Sequence, residues 1–162
     1  MTGNEPLQGG ATGGVDDLYR EVILDHFKSP RNKGKIASPS VSNEGVNPLC
    51  GDEIEITALI TDGTLEDLKF QGHGCAISQS SASMMTQALK GKRVAEVLSI
   101  IQRFKGLLLP GGTPGTGDNT PLDLGDLESL EGVKKYPVRV KCATLAWNTL
   151  AEALKNIQPG GK

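Results

Sequence analysis

The sequence predicts an α+β domain, in which a small antiparallel sheet of about three strands packs with several α-helices. Two observations lead to this prediction. Apolar and polar residues alternate over residues 53–61 and 65–71, as in half-buried strands, and Asp62-Gly63 between them is a typical hairpin turn. On both sides of this hairpin, apolar residues recur at spacings of three and four, as in helices. The 162 residues suit one domain with a modest core.

The N-terminal region predicts a tail, a helix, a loop and a first strand. Residues 1–14 are rich in glycine and polar side chains, so we expect a disordered tail. A helix is expected from Asp16 to Ser29-Pro30, because the residue before a proline is forced out of the helical region. Residues 31–40 are typical of a loop, and residues 41–43 favour a short strand beside the hairpin.

The region after the hairpin predicts two helices. The run Gly72-His73-Gly74 is expected to end the second hairpin strand. A helix follows over about 76–90, and Gly91 is placed to stop it. A shorter helix is expected over 94–104.

The C-terminal third contains a glycine- and proline-rich segment. Residues 106–132 predict a long loop with a short helical turn near 124–130, and loops of this length in compact domains are often functional. Pro137 then suits the first turn of a helix running to about Ile157. We therefore expect one domain over 15–158 with an insertion at about 106–132.

Charge and hydropathy exclude several classes of protein. Lys plus Arg number 17 and Asp plus Glu number 19, a net charge of −2 that does not favour a nucleic-acid-binding protein. No apolar stretch is long enough to span a membrane, and the first residues lack the pattern of a secretory signal. The expected location is the cytoplasm. Three cysteines cannot all pair within one chain, so free thiols need an explanation.

The three cysteines each lie where a predicted element begins. Cys50 leads through Gly51-Asp52 into the hairpin, Cys75 lies at the N-terminus of a helix, and Cys142 lies in about the first turn of the last helix. A free cysteine is commonly a small buried hydrophobe, and this interpretation suits Cys142 taken alone. It is weaker for Cys50 and Cys75, because their glycine-rich neighbours rarely build a core.

An aspartate completes a candidate set of metal donors. Asp52 and three thiolates provide the four ligands of a tetrahedral Zn²⁺ site. An aspartate beside a glycine is also a common turn former, so this alternative stays open.

Three segments resemble the cysteine motifs of the U-type iron–sulfur cluster assembly proteins, the NifU N-terminal/IscU-like family. These are NPLCGDEIEI, GHGCAISQSSASMM and VKCATLAW, and LYREVILDHFKSPRNKGKI resembles the family's first helix and following loop. The resemblance covers roughly residues 17–158 and implies an IscU/SufU-like fold. Within the family, Lys141 stands where the IscU branch has a histidine, and residues 106–132 resemble the insertion of the SufU branch.

The SufU-like resemblance implies a zinc-dependent, sulfurtransferase-like protein that accepts persulfide sulfur from a SufS-like cysteine desulfurase. Downstream partners would be iron–sulfur assembly or acceptor proteins. The implied zinc ligands are Cys50, Asp52, Cys75 and Cys142, with Cys50 as the sulfur acceptor because Gly51 leaves its loop free to move.

Three further basic side chains are not expected to be metal ligands. Lys141 is either a solvated cation or offsets the charge of the thiolates. His73 is expected to be a loop or supporting group beside the site, and His26 to be structural or part of a partner surface.

Two alternatives remain at this stage. The same cysteines would also suit an IscU-like scaffold that assembles and transfers a [2Fe–2S] cluster. The second alternative is a purely structural zinc protein, in which the metal only ties the hairpin to two helices.

Overall fold

A computed structural model of the chain describes residues 20–108 and 125–155. Eight elements occur within these ranges, and the α+β prediction is confirmed. In chain order they are α1 (20–28), β1 (Val41–Asn47), β2 (Asp52–Thr61), β3 (Thr64–His73), α2 (Ala76–Leu89), α3 (Val94–Leu107), a 3-10 helix (Gly125–Lys135) and α4 (Pro137–Lys155). The predicted tail over 1–14, the helix start at Asp16, residues 109–124 of the insertion and the helix end near Ile157 lie outside the described residues.

The sheet is antiparallel with the strand order β1-β2-β3. The hairpin is confirmed: Asp62 and Gly63 both have positive φ, 53° and 79°, which two-residue hairpin turns require. The first strand is longer than expected and runs to Asn47, which is paired with Asp52 of β2. The end of β1 and the start of β2 are therefore side by side.

One sequence interpretation is wrong: Gly72-His73-Gly74 does not end β3 at its first residue. The strand continues to His73, and Gly72 pairs with Ile54. A Cβ at position 72 would collide with the carbonyl oxygen of Glu53. This glycine therefore allows a close approach of two strands, and only Gly74 and Cys75 lie between β3 and α2.

The helices follow the predicted pattern with shifted ends. The helix predicted over about 76–90 is confirmed as α2. The helix predicted over 94–104 continues to Leu107 as α3, because both Phe104 and Leu107 are buried in the core. The short turn expected near 124–130 is the 3-10 helix, which extends to Lys135. No helix in the described ranges has the length and apolar character needed to cross a membrane.

The middle of the domain is α2, which is buried despite carrying many hydroxyl groups. Ser81 shows how these groups are satisfied: its Oγ donates to the carbonyl of Ala143 at 2.6 Å and accepts the Trp147 indole N–H at 2.9 Å. Trp147 also stacks on Phe104, with ring centroids 4.2 Å apart. These contacts fix α4 against α2 and α3.

Gly45 sets how closely α4 lies on the sheet. A Cβ at this position would collide with the Thr149 hydroxyl and lie 3.1 Å from Leu145 Cδ1. The absence of a side chain in the middle of β1 therefore lets α4 rest on the strand.

His26 of α1 is fully buried and joins three segments. Its Nε2 lies 2.8 Å from the Asp126 carboxylate in the 3-10 helix, and its Nδ1 lies 2.8 Å from the Ser83 hydroxyl in α2. Since a carboxylate only accepts, Nε2 is the donor to Asp126, and Nδ1 of the neutral ring accepts the Ser83 O–H. Ser83 Oγ in turn accepts the N–H of Arg31 at 2.8 Å. The structural interpretation of His26 is confirmed by this burial.

Candidate metal centre

Cys50 lies on the short connection between β1 and β2. Asn47 and Asp52 are paired at its two ends, and the Cys50 N–H donates to the Asn47 carbonyl at 3.2 Å. Gly51 has φ +70°, in the left-handed region that favours glycine, and an added Cβ there would face open space. This reversal of the chain brings Cys50 beside Asp52.

Asp52 is a fully buried carboxylate held against the start of α2. Its Oδ1 accepts the Cys75 N–H at 2.8 Å, and its Oδ2 lies 3.8 Å from Cys75 Sγ. A Cβ on Gly74 would collide with Asp52 Oδ1 and lie 2.8 Å from the Ser78 hydroxyl. The glycine before Cys75 therefore leaves room for the carboxylate.

Cys75 is the N-cap residue of α2, where its sulfur accepts the Ser78 N–H at 3.4 Å. An N-terminal helix end favours negative charge, so this position suits a thiolate.

Cys142 is fully buried in the second turn of α4, slightly later in the helix than expected. Its Sγ lies 2.9 Å from Cys50 Sγ, although 92 residues separate the two in sequence. Asn47 Nδ2 lies 3.6 Å from the same Cys142 sulfur. The last helix thus brings Cys142 into the cluster.

The donor atoms of Cys50, Asp52 and Cys142 all lie within 4.8 Å of one another. Cys75 Sγ adjoins this group through its contact with Asp52. Three soft thiolates and one carboxylate are a donor set that suits tetrahedral Zn²⁺, so the residues present fit the metal. The structure brings together the four residues whose types and motifs predicted ligands.

The thiols shift the pKa of their neighbours and of each other. The pKa of Cys142 is raised above its ordinary value, first by burial and then by its hydrogen bond with Cys50. The pKa of the Arg139 guanidinium is also raised, most by the negative charge of Cys75 and next by that of Cys142. Arg139 is therefore the cation that faces the cluster.

Sequence reasoning chose a different cation. Lys141 is adjacent to Cys142 in sequence, but it lies on the exposed side of α4, and its part in the site stays a prediction. Arg139 precedes Cys142 by three residues, the spacing at which helix side chains share a face. That spacing was the signal that could have identified it.

Of the three cysteines, Cys75 lines an open groove of about 410 Å³. Its lining joins the start of α2, the end of the 3-10 helix and the start of α4. The lining residues are Cys75, Ala76, Ile77, Gly132, Val133, Tyr136 and Arg139. Tyr136 is 61% exposed, and Leu49, on the loop that carries Cys50, is 67% exposed. One exposed apolar side chain therefore lines the groove, and another is adjacent to Cys50 in sequence.

His73 is not placed to act as a metal ligand in this arrangement. Its side chain is 72% exposed, and its Nε2 lies 3.5 Å from Glu53 Oε1 on the outer face of the sheet. A supporting role for His73 stays a prediction. Asn47, in contrast, was not singled out from the sequence, although its amide contacts the Cys142 sulfur.

Most of this chain matches one known protein family. The model of the NifU-like N-terminal domain matches residues 18–143. The chain belongs to this family.

Curated relatives of this NifU-like chain include members of both branches. It is 44% identical over 146 residues to the zinc-dependent sulfurtransferase SufU of Bacillus subtilis, with 90% of this chain and 95% of the relative covered. It is 42% identical over 143 residues to the iron–sulfur cluster assembly scaffold protein IscU of Thermotoga maritima, with 86% and 94% covered.

Solved structures share the fold of this NifU-like chain. A putative iron–sulfur cluster assembly scaffold protein for the SUF system from Fervidobacterium islandicum matches with a TM-score of 0.72 and 36% identity, over 83% of this chain and 94% of the other. The N-terminal part of a NifU-like protein from Brucella abortus matches with a TM-score of 0.77 at 23% identity, over 88% and 96%. The predicted IscU/SufU-like fold is confirmed.

Proposed function

We propose that this protein is a zinc-dependent sulfur carrier of iron–sulfur cluster assembly, which accepts persulfide sulfur from a SufS-like cysteine desulfurase in the cytoplasm. Zn²⁺ would be held by Cys50, Asp52, Cys75 and Cys142. Downstream assembly or acceptor proteins would receive the sulfur. The observation that carries this proposal is the convergence of the Cys50, Asp52 and Cys142 donor atoms within 4.8 Å of one another. The 44% identity to a protein named as a zinc-dependent sulfurtransferase supports zinc as the metal.

Zinc would supply one property: it keeps the thiols deprotonated and, being redox-inert, does not oxidise them to disulfides. The residues of the chain do the rest. Asp52 ties the donor cluster to α2 through the Cys75 N–H. Arg139 places a positive charge beside the thiols, where an incoming persulfide anion would arrive.

Cys50 is the proposed sulfur acceptor. It is only partly buried and precedes Gly51, whereas Cys142 is fully buried. The Cys50 thiolate attacks the terminal sulfur of the partner's persulfide and forms a new S–S bond to that sulfur. The old S–S bond breaks, and its electron pair leaves with the partner's cysteine as a thiolate. The transfer therefore needs no external oxidant or reductant.

The test combines metal analysis with a desulfurase assay. The purified chain should contain one zinc per molecule and show no visible absorbance, and it should increase sulfide release by a SufS-like desulfurase. Cys50→Ala should abolish that increase, and mass spectrometry of the wild type should locate the added sulfur on Cys50. Ser99→Ala, an exposed side chain on α3, is the control and should behave as the wild type.

Three results would contradict the proposal. A Cys50→Ala variant that still accepts sulfur at the normal rate would remove Cys50 as the acceptor. A brown protein that transfers a [2Fe–2S] cluster and does not stimulate a desulfurase would favour the scaffold function, to which the 42% identity with an IscU relative points. A protein that holds zinc but transfers no sulfur would be the structural zinc protein.

A further inference from the structure

We propose that Asn47 is the positioning residue of the donor cluster, because its amide holds the Cys142 sulfur in place while its oxygen atoms hold the loop that carries Cys50. This inference rests on the proposed function, since it concerns the same cluster. None of the cysteine, aspartate or basic residues discussed above performs this task.

The position of Asn47 follows from the pairing of β1 with β2. It is the last residue of β1, is 6% exposed and is paired with Asp52. Its side chain points to the face of the sheet on which α4 packs, as does that of Asn43 four residues earlier. Asn47 is therefore the point of β1 that lies nearest the cluster.

Three hydrogen bonds use the polar groups of Asn47. Its Nδ2 donates to Cys142 Sγ at 3.6 Å, its Oδ1 accepts the Leu49 N–H at 3.3 Å, and its carbonyl accepts the Cys50 N–H at 3.2 Å. One buried residue thus contacts the helix that carries one sulfur and the loop that carries the other.

The bond to Cys142 makes the two neighbouring sulfurs chemically unequal. An N–H directed at a thiolate stabilises its negative charge and withdraws electron density, which makes the sulfur a weaker nucleophile. Cys142 also lies out of contact with solvent, whereas Cys50 is partly exposed. Asn47 therefore keeps Cys142 as the fixed donor and leaves Cys50 as the reactive one.

The chain offers a matched control on the same strand. Asn43 Nδ2 donates to the Thr149 carbonyl at 3.1 Å, so Asn43→Ala also removes one amide hydrogen bond between β1 and α4. It removes no contact to the cluster. Asn47→Asp separates the two side-chain bonds of Asn47, because an aspartate still accepts the Leu49 N–H but has no N–H for Cys142.

The experiment measures metal binding by the full-length chain, with zinc and cobalt(II) as the probes. Zinc affinity is obtained by competition with a chelator of known affinity. We expect Asn47→Ala and Asn47→Asp each to lose about 10–100-fold in affinity, the range found when a group that supports a metal ligand is removed. Asn43→Ala should stay within about threefold of the wild type.

Cobalt(II) provides a readout that a purely structural role would not change. The sulfur-to-cobalt charge-transfer band should move to longer wavelength in Asn47→Ala and Asn47→Asp, because the N–H that stabilises the sulfur electrons is gone. Asn43→Ala should leave the band in place. If Asn47→Ala does not fold, as judged by circular dichroism, Asn47→Asp provides both readouts.

The outcomes are distinguishable from failure of the proposed function. If both Asn47 variants bind zinc as tightly as Asn43→Ala, or if their cobalt bands coincide with that of the wild type, the role of Asn47 is refuted. An Asn47→Asp variant with wild-type affinity and an unshifted band would reduce Asn47 to a loop anchor. If the wild type itself holds no zinc or takes up no sulfur, the proposed function fails whatever the Asn47 variants do.

Discussion

Replacing His26 by alanine is expected to lower the free energy of unfolding by about 2–4 kcal/mol. The imidazole is completely buried and joins α1 to both α2 and the 3-10 helix through the hydrogen bonds of a single side chain. Its removal leaves the Ser83 hydroxyl without its acceptor and a cavity where the ring was. Alanine can neither fill that space nor bond to either neighbour.

The magnitude follows from three contributions. The buried bond with Ser83 contributes about 1 kcal/mol. The bond to Asp126 contributes a similar amount. This is less than a fully buried charged pair would contribute, because the Asp126 carboxylate is 41% exposed and water can replace the imidazole there. The cavity adds about 1–2 kcal/mol, depending on how far the surrounding side chains relax.

Equilibrium unfolding in urea measures this loss. With a slope of about 2 kcal/mol per molar, typical of a small domain, the midpoint should fall by about 1–2 M. The chain has a single tryptophan, Trp147, which is buried against Phe104 and reports the loss of tertiary structure by its fluorescence. His73→Ala is the matched control, because the second histidine of the chain is 72% exposed and its contact with Glu53 is a surface pair.

The reasoning would be refuted if His26→Ala and His73→Ala unfolded within about 0.5 kcal/mol of each other. In that case water would have replaced the imidazole at the buried Ser83 hydroxyl as well as at the part-exposed Asp126 carboxylate, and the burial of the Ser83 contact excludes such a water. A stable His26→Ala variant would therefore contradict the packing of α1 as well as the energy of the hydrogen bonds.

Four further changes are expected to have measurable effects. Gly45→Ala should destabilise the fold by about 1–3 kcal/mol in urea because α4 must move, whereas Gly106→Ala, with open space around its Cβ in α3, should stabilise it by up to about 1 kcal/mol. The pKa of Glu55 is lowered, first by its hydrogen bond with a glutamine amide, so its stabilising contribution is present above the ordinary pKa and is lost as the pH falls through the lowered value. Below about pH 4.5, the free energy of unfolding of Glu55→Gln should therefore depend less steeply on pH than that of the wild type. An equally steep dependence would contradict this. Arg139→Gln should reduce the rate of cysteine modification by iodoacetate relative to neutral iodoacetamide roughly 2–10-fold, and Lys141→Gln should not.

The hairpin and the α2 region were predictable because local signals there agree with the final structure. Alternation over two strands, an Asp-Gly turn with two positive φ values and a stop near Gly91 all act within a few residues of one another. The candidate ligands were also predictable, since residue type and motif already singled out the cysteines and Asp52.

The supporting residues could not be predicted in the same way, because their roles depend on contacts between distant segments. Gly72 was taken for a strand breaker, but its meaning is set by how closely Glu53 of the neighbouring strand approaches. Asn47 contacts Cys142 only because β1 and α4 meet, 95 residues apart in sequence. Arg139 faces the cluster because of the rotation of α4 about its axis, which tertiary packing decides.

The donor cluster also has a consequence for the order of events during synthesis. Its donors come from the β1–β2 connection, the start of α2 and the second turn of α4, so Cys50 and Cys142 meet only across 92 residues of chain. Such a long-range contact forms late, because the intervening loop must be closed first. A growing polypeptide lacks the complete donor set until α4 has left the ribosome. Binding of a metal by all four donors therefore requires α4 to have packed against the sheet and α2, so the complete site is a late product of folding.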